Sequence, residues 1–304
     1  MKRIFQFKSI SEFHKFSNLP RPEHPLISLI DYSEVKYPKD SSEIKWIQEF
    51  YSIGLKRNVS ERFDYGQQKF DFDEGILSFV APNQTLNIRI NQNVQINASG
   101  WLLLIHPDFL WGTTLATTIK KFDFFGYAVN EALFLSEKEE INIVELLKNI
   151  QQEYRANIDK FSQNIIISQL ELLLNYAERF YERQFITRKI TNHQVLVKLE
   201  NILKEYFVKE NTLFNGIPTV AQIAKDLNLS PNYLSNLLNV ISGQSTQQHI
   251  HNMLIEVAKE KLSTTELTIS EIAFELGFEH PTSFSKLFKN KTNSSPITFR
   301  NSFN

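Results

Sequence analysis

Ile272-Ala273-Phe274-Glu275-Leu276-Gly277-Phe278, then Glu279-His280-Pro281, then Thr282-Ser283-Phe284-Ser285-Lys286-Leu287-Phe288 reads as a short helix, a tight turn and a second helix. The chain carries the pattern twice. The earlier copy is Ile223-Ala224-Lys225-Asp226-Leu227-Asn228-Leu229, then Ser230-Pro231, then Asn232-Tyr233-Leu234-Ser235-Asn236-Leu237-Leu238. Two helix-turn-helix units so spaced can address two neighbouring major grooves, which makes double-stranded DNA the leading candidate partner.

The punctuation around the copies supports the same division. Thr219 with Gln222, and Thr268 with Glu271, have the spacing of capping boxes, in which a hydroxyl and a side-chain carbonyl or carboxylate satisfy free amides at a helix start. Ser230 and His280 fall at the N-cap of the second helix of each copy. Pro231 and Pro281 follow at the first helical position, where a missing amide costs nothing. Leu234, Leu237 and Leu238, and likewise Phe284, Leu287 and Phe288, make a buried stripe. A long helix marked by Ile250, Leu254, Ile255, Ala258 and Leu262 joins the copies, and one marked by Val195, Leu196, Leu199, Ile202, Leu203 and Tyr206 precedes the Asn215-Gly216 turn.

The outward residues are Asn232, Ser235, Asn236 and Asn239 in the first copy, and Thr282, Ser283, Ser285, Lys286 and Lys289 in the second. Asparagine bonds bidentately to adenine and lysine donates to guanine. Residues 193–304 carry ten basic and ten acidic side chains, so non-specific attraction is weak. After Glu279 only Lys286, Lys289, Lys291 and Arg300 carry charge, while Leu227 to Ile255 carries none. The second reader is therefore expected to supply most phosphate attraction and the first to use uncharged hydrogen bonds.

The first half has another texture. Trp46 to Leu55, Ile76 to Val80 and Trp101 to Ile105 are rich in aromatic and branched residues, with turns at Asp73-Glu74-Gly75 and Ala81-Pro82-Asn83, as expected of an antiparallel sandwich or barrel. At Ser136-Glu137-Lys138-Glu139 a capping box opens a helix running through Ile141, Val144, Leu147 and Lys148 to about Tyr154. A second helix, about 162–184, carries Ile166, Leu170, Leu173, Leu174, Ala177 and Phe180 at helical spacing, a stripe wide enough to pack on the barrel and to meet a partner chain. Arg183 to Asn192 is polar and is expected to be a linker.

The totals set the outer bounds. A chain of 304 residues with 42% hydrophobic and 22% charged content suits two globular domains. No apolar run approaches the length of a membrane span, Met1-Lys2-Arg3-Ile4-Phe5 leads to no cleavage site, and a cytoplasmic location is expected. The absence of cysteine excludes disulfides, thiolate zinc sites and a cysteine nucleophile. The net charge of −1 gives no global sign of nucleic-acid binding.

Residues 196–299 resemble the AraC/XylS family of bacterial transcription regulators. The resemblance is carried by Ile269-Ser270-Glu271-Ile272-Ala273, Leu276-Gly277-Phe278, Phe284 to Lys289 and Ser295-Pro296-Ile297-Thr298-Phe299-Arg300, and more loosely by Ser230, Tyr233-Leu234-Ser235 and Ser242-Gly243. It implies two helix-turn-helix subdomains joined by the long helix, with Asn232, Ser235 and Asn236, then Thr282, Ser283 and Lys286, facing DNA; Lys289, outward on the same helix, is a further candidate contact. The chain departs from the pattern at Asn239, His251 and Met253, where many members are basic. A cupin-like N-terminal barrel that senses a small-molecule effector or dimerises is also implied, for which residues 20–135 are compatible.

The expected architecture is thus α+β: a cupin-like β-barrel or sandwich over 1–135, a helical connector over 136–190, and an all-α double helix-turn-helix domain over 193–304. The expected function is that of a sequence-specific regulator, usually an activator, whose partners are promoter DNA, RNA polymerase, an effector and a second copy in a homodimer. Phe50, Tyr51, Phe63, Tyr65, Phe70, Phe72, Phe79, Trp101 and Trp111 either line an apolar effector pocket or fill the barrel. Two alternatives are a helical protein-interaction module that never touches DNA and a cupin-type metal enzyme. The barrel region offers only His24 and His106, without a His-x-His pair, and no nucleophile or phosphate-loop motif is present, so no metal, cofactor or catalytic residue is expected.

Overall fold

The computed structural model describes residues 4–36, 43–57, 75–89, 99–128, 131–156, 159–208, 212 and 216–303. They form two compact units, Met1–Gln184 and Phe185–Asn304.

The first unit holds two sheets. In one, β3 (Glu43–Gln48) lies between β1 (Ile4–Phe7), parallel to it, and β6 (Thr85–Arg89), antiparallel. The other, antiparallel throughout, orders β2 (Ile27–Asp31), β7 (Ser99–Ile105), β4 (Tyr51–Arg57), β5 (Ile76–Val80) and β8 (Leu133–Phe134). One buried cluster draws Phe7, Ile44 and Trp46 from the first sheet, Ile30, Leu102 and Leu104 from the second, and Ile10 and Phe13 from α1 (Ile10–Phe16). Each such side chain contributes about 1.5–3 kcal/mol by leaving water, which binds the sheets face to face.

The run from Trp46 to Leu55 reads as one strand and is in fact two. At Glu49-Phe50 the chain leaves one sheet and enters the other. The buried Gln48 amide fastens this corner by donating to the Phe50 carbonyl at 3.0 Å and to Ser52 Oγ at 2.9 Å, while its own oxygen accepts from the Trp46 indole at 3.2 Å. Alternation of apolar residues cannot show such a crossing, because both halves stay buried.

Of the candidate pocket aromatics, Phe50, Tyr51 and Phe79 are core residues and Trp101 is half-buried. Trp111 is 68% exposed and lines no interior, and Phe63, Tyr65, Phe70 and Phe72 lie outside the described residues. The short α2 (Leu115–Thr118) precedes β8.

The expected capping box at Ser136 opens α3 (Glu137–Arg155), with Ser136 Oγ and the Glu139 carboxylate each bonding the other's backbone amide. Its buried face is Ile143, Leu146, Leu147, Ile150 and Tyr154, whereas Ile141 points to solvent. In α4 (Ser162–Thr187) the expected stripe from Ile166 to Phe180 is buried throughout. The expected polar linker is helical instead: α4 runs to Thr187 and α5 (Lys189–Val208) starts two residues later. Gln184 and Phe185 are buried, and Arg183 pairs with Glu139 at 2.7 Å, so the polar residues there are partners rather than a solvated tether.

The second unit is all-helical. After α5 come α6 (Val220–Asp226), α7 (Pro231–Ser242), α8 (Thr246–Thr264), α9 (Ile269–Glu275), α10 (Pro281–Thr292) and α11 (Pro296–Asn301). One core unites them. It includes Leu199, Leu203 and Phe207 of α5, Leu234 and Leu238 of α7, Leu254, Ala258 and Leu262 of α8, and Phe284 and Phe288 of α10.

Candidate nucleic-acid interface

The duplication is deeper than two helix-turn-helix pairs. Both expected capping boxes form, Thr219 with Gln222 and Thr268 with Glu271. Each first helix ends on a left-handed residue, Asn228 at φ 56° and Gly277 at φ 86°. The next residue then bonds back five positions, Leu229 N–H to the Ala224 carbonyl at 2.9 Å and Phe278 N–H to the Ala273 carbonyl at 3.0 Å. These bonds satisfy carbonyls that a helix end leaves free. Recognition helices α7 and α10 end alike on left-handed Gly243 and Asn293, after which Ser245 and Ser295 cap a third helix. The linking helix α8 is therefore also the third helix of the first repeat, matched by α11 in the second. The serines at 245 and 295, each just past a left-handed residue, were the signal that could have shown this.

One difference separates the turns. Leu229-Ser230 stands where the second copy has Phe278-Glu279-His280. Ser230 Oγ accepts from the Tyr233 amide at 3.3 Å, whereas His280 makes no side-chain cap bond.

Aligning α7 and α10 from their first prolines pairs Asn232 with Thr282, Ser235 with Ser285, Asn236 with Lys286 and Asn239 with Lys289. These positions follow the i, i+3, i+4, i+7 spacing with which one helix lies along a major groove. Asn232, Asn239, Thr282, Lys286 and Lys289 are exposed, Ser235, Asn236 and Ser285 half-buried. Ser235 Oγ lies 3.2 Å from the hydroxyl of the fully buried Thr246, so this side chain turns toward α8. Ser283 is exposed beside the stripe. Its counterpart is Tyr233, whose ring meets Phe185 edge-on at 5.1 Å, and the first helix is anchored where the second is open.

The four cations after Glu279 divide in the same way. Lys286 and Lys289 are exposed on the helix surface, while Lys291 donates to Asn252 Oδ1 at 3.0 Å. Arg300 reaches the Leu262 carbonyl with Nε at 3.2 Å, and its Nη2 is buried without a partner, so it holds α11 against α8 instead of facing outward. At the departures from the basic pattern, Asn239 is exposed and Met253 lines a surface cleft with Val257 and Phe299. Burial, and after it the nearby Lys291, pulls the His251 imidazole below its ordinary value, which favours its uncharged form.

Among the described residues no group of three or more histidine and carboxylate side chains could hold a metal ion. No helix there is long and apolar enough to cross a membrane.

Residues 223–302 match a family model described as a helix-turn-helix domain. The chain is 24% identical over 209 residues to histidine kinase P4 of Formosa agariphila, a match covering 66% of this chain and 14% of the relative. It is 36% identical over 81 residues to the arabinose operon regulatory protein of Escherichia coli, covering 27% and 28% of the two chains. Among solved structures, the C-terminal domain of the two-component response regulator yesN from Fusobacterium nucleatum is 29% identical with a TM-score of 0.31, over 35% of this chain and 98% of that one. The chain thus spans well under half the length of either full-length relative.

Proposed function

We propose that this chain, whose C-terminal domain is a helix-turn-helix domain of the AraC type, is a sequence-specific DNA-binding transcription regulator that lays α7 and α10 into successive major grooves. The observation that carries the reading is the repeated three-helix unit, in which the same caps, turn and buried stripe leave matching faces outward. Asn232, Asn236, Thr282, Lys286 and Lys289 make the contacts, with Ser283 at the flank and Ser235 supporting α7 through Thr246.

The N-terminal unit, a cupin-like two-sheet domain in this reading, senses a small-molecule effector or joins two copies through its helices, and so governs access to promoter DNA and contact with RNA polymerase. The equal numbers of acidic and basic residues over 193–304 favour paired operator sites, because one neutral domain gathers little counterion-release energy. The domains, in function, are the sensor (1–135), the helical connector (136–190) and the reader (193–304).

Footprinting of a selected duplex tests the proposal. Two protected major-groove stretches about one helical turn, ~34 Å, apart are expected. Failure of the whole chain to enrich any sequence from random DNA, with and without cell extract as effector source, would overturn it in favour of a protein-interaction module.

A further inference from the structure

We infer that the first recognition helix reads an adenine-containing half-site through Asn232 and Asn239. The inference rests on the DNA-binding reading above and adds which bases that helix selects. Asn232 and Asn239 stand exposed at i and i+7 of α7, with Asn236 half-buried between them. The intervening Ser235 is engaged with Thr246. Because Leu227 to Ile255 carries no formal charge, recognition by this helix is left to amides.

An asparagine side chain offers one acceptor and one donor side by side. In the major groove only adenine presents the complement, a donor at N6 next to an acceptor at N7. Guanine presents two acceptors at O6 and N7 and so leaves the amide oxygen opposed to an acceptor, while thymine and cytosine each offer one partner. From Asn232 to Asn239 the helix rises about 10 Å, or about three base steps at 3.4 Å. The pair therefore spans a window of about four base pairs, with an adenine, on either strand, toward each end of it. The matching positions of α10 hold Thr282, Lys286 and Lys289, and lysine donates to guanine O6 and N7. The operator is accordingly unequal, with an adenine-containing half under α7 and a guanine-containing half under α10.

The test is selection from random duplex DNA with the full chain, then replacement of each adenine in the selected half-site by 7-deazaadenine. This analogue lacks the N7 acceptor but keeps base pairing and the minor-groove edge. Each contacted adenine should lose about fivefold to tenfold in wild-type affinity on replacement, as expected for half of a bidentate pair. For Asn232→Ala or Asn239→Ala, both at exposed positions, the replacement under the missing amide should have no further effect. A two-part selected sequence with no adenine in either half, or with adenines that tolerate 7-deaza replacement, overturns this inference and leaves the regulator reading standing. Enrichment of no sequence by the wild-type chain overturns both.

Discussion

Asn228 and Gly277 hold the same place in the two repeats, each the left-handed residue that ends its first helix, and Gly277 is pressed against the backbone of Gly216 and Ile217. A Cβ at Gly277 would fall 2.8 Å from the carbonyl carbon of Gly216 and 2.9 Å from the Ile217 amide nitrogen. Gly277→Ala should therefore cost about 1–2 kcal/mol for the left-handed conformation and about 1–3 more for overpacking. The denaturant midpoint of this variant measures the loss, and one no greater than the conformational share would show that the contact with Gly216 is immaterial.

Tyr154 ties α3 to the edge of the larger sheet. Its hydroxyl accepts from the Leu29 amide at 2.9 Å, on the side of β2 that no strand among the described residues pairs, and Tyr154 is buried. Tyr154→Phe removes the acceptor, keeps the ring and strands a buried N–H, at a cost of about 1–3 kcal/mol. Chemical denaturation should register this loss, and amide exchange at Leu29 should quicken with it. An unchanged exchange rate would mean that the amide is satisfied in another way.

The double helix-turn-helix was legible because its signals are local. Thr219, Thr268, Pro231 and Pro281 mark helix starts by their own chemistry, and the stripes of Leu234 and Phe284 follow from a period of 3.6. What stayed hidden depends on tertiary partners. No pattern says that Ser235 turns to Thr246 while Asn239 stays exposed, that Arg300 points at the Leu262 carbonyl, or that the chain changes sheets at Glu49-Phe50. Spacing runs α3 through Ile141 and Leu147 without saying which face is inward; contact with β2 sets that face at Ile143 and Tyr154 and leaves Ile141 exposed. The polar residues at 183–192 were misleading for the opposite reason, since Arg183 and Asn192 spend their polarity on Glu139 and on the Phe185 carbonyl inside helical structure.

The first unit should lose stability in mild acid. His14 is buried between the Pro20 carbonyl, which accepts from Nδ1 at 2.6 Å, and Ser28 Oγ, 3.0 Å from Nε2. Burial pushes its imidazole below the ordinary value, with the Pro20 bond opposing in part, and burial lowers His24 in the same direction. A depressed value means that the unfolded chain takes up the proton first. The stabilisation is thus complete above the unfolded value of about 6.5 and declines as pH falls from there toward the folded value. Denaturant titrations between pH 8 and pH 5 should show this decline, and His14→Gln should flatten it. A wild-type profile level across that range would exclude the linkage.

The cations of the second repeat should separate into two kinds of defect. Lys286 and Lys289 are exposed on α10, so each alanine replacement should leave stability within about 0.5 kcal/mol, as is usual for surface positions. If each meets a phosphate, each loss should also reduce the slope of log affinity against log salt by about 0.9. Arg300 faces inward, with Nε on the Leu262 carbonyl and Nη2 buried. Arg300→Ala should cost about 1–3 kcal/mol of stability, by stranding a buried carbonyl, and should not change the salt slope of the protein that remains folded. Titrations at several salt concentrations, beside thermal melts of the same variants, distinguish the two classes. An unchanged slope for both lysine variants would remove α10 as the source of phosphate attraction, and a reduced slope for Arg300→Ala would turn that side chain outward in the complex.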